Sequence, residues 1–80
     1  MTLDLLPLGQ RATIVGVDWG ALVPEEAARL QALGLDAGAR VMVEHRGVFA
    51  GADPLALRIG RMSVALRRVH AAAMTVEVAA

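Results

Sequence analysis

The side chains able to do chemistry in this sequence are few and scattered. His45, His70, Glu44 and Asp53 form the candidate ligand set for a metal, because imidazole and carboxylate suit ferrous or zinc ions. Their spacing argues against a site. The two histidines lie far apart, and no His-x-His or His-x3-His pair would set two imidazoles on one strand or helix face. Solvated or half-buried strand histidines are the expected state, so no metal ligand and no cofactor is assigned. Hydroxyl nucleophiles are limited to Ser63, Thr2, Thr13 and Thr75, none of them in a recognisable elbow or beside a base evident in sequence. No catalytic residue is expected. The Gly16-x-x-x-Gly20 spacing lacks the Lys-Ser/Thr and the strand-loop-helix setting of a phosphate loop, so any nucleotide would belong to a partner.

Binding chemistry is better represented. Arg58, Arg61, Arg67 and Arg68 read either as a solvated face with local ion pairs or as a basic patch for RNA or an acidic protein. Eight arginines balance eight acidic residues and no stacking aromatic lies near the patch, so nucleic acid is not an expected partner. Trp19 and Phe49, the two aromatics, both fall in expected loops, and Leu22 and Val23 follow Trp19 closely. Two roles stand open for them. Trp19, Leu22, Val23 and Phe49 would make a partner-binding surface carried on loops, or the aromatics would plug the ends of a barrel.

The elements that must carry these residues are short. Thr2 to Leu6 predicts one helical turn, stopped by Pro7 and Gly9, whose leucines cover one end of the core. Arg11 to Val17 is a β-branched run and predicts a strand with a bulge at Gly16. Pro24 to Leu33 changes period: Pro24 suits the first helical position, Glu25 and Glu26 favour the helix start, and Ala27, Leu30 and Leu33 recur at helical spacing. Gly34 then predicts a left-handed cap with Leu35 folded back onto Leu30. After an Asp36-Ala37-Gly38 turn, Arg40 to Arg46 predicts a strand with Val41, Val43 and His45 inward. Gly47 to Pro54 is a loop, Leu55 to Ile59 a strand, Gly60-Arg61 a two-residue hairpin turn, and Met62 to Arg67 a further strand. A helical turn over Arg68 to Ala73 precedes a last strand at Met74 to Val78.

Eighty residues, 56% of them hydrophobic, predict one domain over residues 1–80 with an aliphatic core. Zero cysteines exclude disulfide staples and thiolate chemistry, leaving packing to hold the chain together. Asp4, Gln10, Arg11 and Asp18 interrupt the N-terminal apolar residues well short of the roughly 18–20 that a membrane span needs. The Met1-Thr2-Leu3-Asp4 start has an acid where a secretory signal carries basic residues, so a cytoplasmic location without direct membrane insertion is expected. Five short strands with one helix inserted after the first predict an all-β fold, a small SH3-like barrel.

The order of these pieces resembles the FeoA family. The matching features are Leu3-x-x-Leu6 followed by Gly9, Arg29-Leu30-x-x-Leu33-Gly34-Leu35-x-x-Gly38, Val41-x-Val43, Asp53-Pro54-Leu55, and Leu66-Arg67-Arg68 followed by Ala71. Ala37, Glu25, Glu26 and Val69-His70 depart from the family pattern and alter the partner-facing surface rather than the fold. The resemblance implies an SH3-like barrel and a non-enzymatic role in iron transport, binding the cytoplasmic part of FeoB, the large membrane ferrous-iron transporter with a GTPase domain. Similar domains at the C-terminus of metal-dependent repressors imply an alternative, a metal-responsive sensing module that binds a transition-metal ion or a protein ligand. The lack of DNA-binding helices favours the first. Self-association is left open.

Overall fold

The computed structural model describes residues 1–47 and 53–79. Five strands carry the architecture: β1 (Arg11–Val17), β2 (Arg40–Arg46), β3 (Leu55–Ile59), β4 (Met62–Leu66) and β5 (Met74–Val78). Helix α1 (Pro24–Ala32) lies between β1 and β2, and the single turn α2 (Arg68–Ala71) lies between β4 and β5. Two 3-10 turns, Leu3–Leu5 and Trp19–Ala21, complete the set. All pairings are antiparallel, in the order β4-β3-β2-β1-β5.

The expected all-β architecture with one inserted helix is present, and it follows from period-two burial. Ala12 and Ile14 on β1, Val41 and Val43 on β2, and Leu55, Leu57 and Ile59 on β3 all turn inward. With Leu3, Leu6, Leu30, Leu35, Leu66, Ala71, Met74 and Val76 they form one cluster that contains no buried polar residue among those described. Each fully buried aliphatic side chain of this size contributes about 1.5–3 kcal/mol, which is how a chain without staples holds together.

Strand β1 is shared. Its first half, Arg11 to Thr13, pairs with Arg40 to Met42 of β2, while Ala12 to Val17 run along β5. The bulge expected at Gly16 is there, as a register shift between Ile14 and Gly16. Among the described residues β4 and β5 form no ladder with each other, so they remain the two edges of the curled sheet. The β5 edge is covered instead by the N-terminus, where Val76 donates its N–H to the Met1 carbonyl at 2.8 Å and Thr2 bridges Thr75.

Two sequence expectations need correction. His45 does not turn inward. The register shifts between Val43 and His45, so that Glu44 is an extra residue opposite β3, His45 is exposed, and the inward phase passes to Arg46. Of the N-terminal leucines, only Leu3 and Leu6 cover the core; Leu5 is 64% exposed and Leu8 56%, because a single tight turn can direct only one face inward.

Candidate functional site

The Trp19 segment is built where β1 ends. After Val17 the chain is held by Asp18, whose N–H donates to the Ala73 carbonyl at 2.8 Å, tying this loop to the start of β5. A 3-10 turn follows, closed by Ala21 N–H to Asp18 and Leu22 N–H to Trp19. Val23 then begins α1, its carbonyl accepting the Ala27 N–H at 2.9 Å. This arrangement divides the predicted residues. Trp19 and Leu22 are half-buried and pack on the core, whereas Val23 is 63% exposed. Trp19 therefore does part of a plug's work while keeping an accessible face, and Val23 is the outward member of the set. Phe49 lies outside the described residues. The base of its loop is described, and there the Asp53 backbone comes so close to Gly47 that any Cβ at position 47 would overlap it.

The four candidate metal ligands are not brought together. His45 is exposed on β2, and the Glu44 carboxylate is already engaged, accepting from Ser63 Oγ at 2.6 Å and from Arg58 Nε at 2.9 Å. Those two bonds favour the charged form and hold the Glu44 carboxyl below its ordinary range, the Ser63 bond most. Asp53 Oδ1 accepts the Arg68 backbone N–H at 2.9 Å. His70 faces α1, its Nδ1 buried without a hydrogen-bond partner and 3.9 Å from Glu26 Oε1. Glu26 also accepts from Arg29 Nε at 2.7 Å, and that hydrogen bond lowers its pKa. Among the described residues no three His, Asp or Glu side chains gather as a metal site would require.

The four arginines read as a patch are also dispersed. Arg58 lies on β3 against Glu44, Arg61 at the β3–β4 turn, and Arg67 and Arg68 beyond the far end of β4. Other exposed groups carried no local signal: Leu5 on the N-terminal turn and Val69 on α2, 65% exposed, stand on two elements that pack together. Their outward aim depends on how that turn docks on α2, which residue types alone do not reveal. Among the described residues no helix is long and apolar enough to cross a membrane.

Comparison with known proteins places this arrangement. No curated protein sequence matches the chain significantly. The FeoA protein of Chlorobium tepidum, solved in solution, superposes with a TM-score of 0.82 at 34% identity, covering 100% of this chain and 71% of that one. The FeoA of Stenotrophomonas maltophilia, crystallised with zinc and described as a prokaryotic SH3 domain protein, gives 0.77 at 33% identity over 96% of this chain and 89% of that one. Iron(II) transport protein A of Clostridium thermocellum gives 0.80 at 27% identity over 98% of this chain, which spans 45% of that longer one. The FeoA domain model matches residues 1–78, and with five antiparallel strands in the SH3-like arrangement of these relatives, the chain belongs to the FeoA family, which is linked to ferrous iron transport.

Proposed function

We propose that this protein is a non-enzymatic cytoplasmic accessory factor of ferrous iron uptake that docks on the cytoplasmic part of a FeoB-type membrane GTPase transporter and modulates it. The family match over residues 1–78 carries this reading. The Stenotrophomonas maltophilia relative, described as a candidate activating factor of bacterial ferrous iron transport, supports it. The docking surface is built on the Trp19-Leu22-Val23 turn, with Phe49 as the further apolar residue assigned to it. Val23 supplies exposed apolar area, and Trp19, held by the core on one side, supplies a rigid aromatic face of the kind that dominates interface energies. Isothermal titration of the full chain into the cytoplasmic GTPase domain of the FeoB-type transporter from the same organism tests the reading. Saturable one-to-one binding is expected, and no heat of binding with or without GTP would overturn it.

A further inference from the structure

Three arginines remote in sequence meet on the outer face of the sheet. Across the strands, Arg11 of β1 stands opposite Met42 of β2, and Met42 stands opposite Arg58 of β3. Two residues along β1, Thr13 stands opposite Arg40. With neighbouring strands about 4.8 Å apart, Arg11 and Arg58 flank Met42 at a backbone separation of about 10 Å, and Arg40 lies one pleat away on the same face. Together with Thr13, Met42 and Gly60 they line a groove of about 600 Å³.

The charges in this groove are unbalanced. Among the described residues no acidic side chain lines it. Arg58 gives its Nε to Glu44, but neither Arg11 nor Arg40 has a side-chain ion-pair or hydrogen-bond partner among the described residues. Of the acids on the neighbouring strand positions, Glu44 is already held by Arg58 and Ser63, and Glu77 stands opposite Thr13 on β5. The two guanidinium forks without a partner among the described residues, those of Arg11 and Arg40, lie on the same outer face as the apolar Met42 and suit carboxylates, which such forks can bind in bidentate fashion. A nucleic-acid strand would also need stacking faces, and none of the described residues that line the groove is aromatic. The chain as a whole has no net positive charge to draw in a polyanion.

We propose that the groove of Arg11, Arg40 and Arg58 binds an acidic segment of a protein partner, whose carboxylates pair with the guanidiniums while its backbone crosses Met42. The site opens at the Arg11 end of β1, whereas Trp19 follows the Val17 end, so one surface can fail while the other works.

Titration of the full isotope-labelled chain with a hexaglutamate peptide at low ionic strength, followed by amide NMR, tests the assignment. Saturable shifts are expected at Arg11, Thr13, Arg40, Met42, Arg58 and Gly60. Arg40→Glu should weaken binding by about tenfold or more, with Arg40→Gln intermediate, and Arg67→Glu at the far end of β4 should leave it unchanged. Unfolding midpoints of the three variants show whether each is folded. Shifts spread over all the arginines, an equal loss in Arg67→Glu, or no saturable shift would overturn the proposal. Tighter binding of oligouridylate than of hexaglutamate at the same residues would overturn it too, by making the groove a nucleic-acid site.

Discussion

Leu35 donates its backbone N–H to the carbonyl of Leu30 at 3.0 Å, across the end of α1, while Gly34 donates to Gln31 at 2.9 Å. These are the two bonds of a Schellman cap, and both leucines are fully buried, so the cap also delivers the chain from α1 into the core. Gly34 makes the reversal with φ at +92°, where a side chain is strained even though a Cβ would have room, its nearest neighbour being Ile59 Cδ1 at 3.6 Å. Gly34→Val should therefore cost about 1 kcal/mol or more, read as a lower denaturant midpoint at unchanged slope. An unchanged midpoint would show that the cap does not set the helix end.

Arg46 is the second fastening. Its guanidinium donates to the Leu6 carbonyl at 2.6 Å and to the Asp4 carbonyl at 3.2 Å, tying β2 to the N-terminal turn. Arg46→Leu should cost about 1–3 kcal/mol, because it leaves part-buried carbonyls without a donor, and amide exchange should rise first in residues 3–6. Uniform exchange with full stability would contradict this role.

Acid should loosen the outer face at Glu44. Its pKa is lowered in the folded protein below the ordinary 4.5, first by Ser63 and then by Arg58. A lowered carboxylate pKa gives stability that is complete above the ordinary value and is lost as pH falls through the lower folded value. Wild type should therefore melt above Glu44→Gln near pH ~7, and the gap should close as pH drops below about 4.5. A gap that stays constant down to pH ~2 would mean that the carboxylate charge contributes nothing.

The strands were legible where aliphatic residues alternate without interruption, as in Leu55-Leu57-Ile59, and α1 was legible because Pro24 and Gly34 mark its two ends. Gly16 announced its bulge; the bulge at Glu44 falls among residues with no such mark, and it reversed the facing of His45 and Arg46. At the end of β4 the reading ran one residue too far, because Arg67 already has the extended backbone that caps α2. The arginine groove was not visible at all. Arg11, Arg40 and Arg58 become neighbours through strand register, a long-range property that no local pattern encodes. The Trp19 turn was partly legible, since its loop position could be read, but the division between Trp19 packed on the core and Val23 exposed depends on the path into α1.

Binding and unfolding measured together on Val23→Asp, Trp19→Ala and Phe49→Ala decide whether the protein docks on the transporter through the Trp19 turn. Val23 is mostly exposed, so Val23→Asp should keep its melting midpoint while losing about thirtyfold in affinity for the FeoB-type cytoplasmic domain, close to 2 kcal/mol. Trp19→Ala should lose both affinity and stability, because its half-buried ring packs on the core. Phe49→Ala should lose affinity as well. Stable Val23→Asp and Phe49→Ala variants that bind as tightly as wild type would rule out docking through this surface.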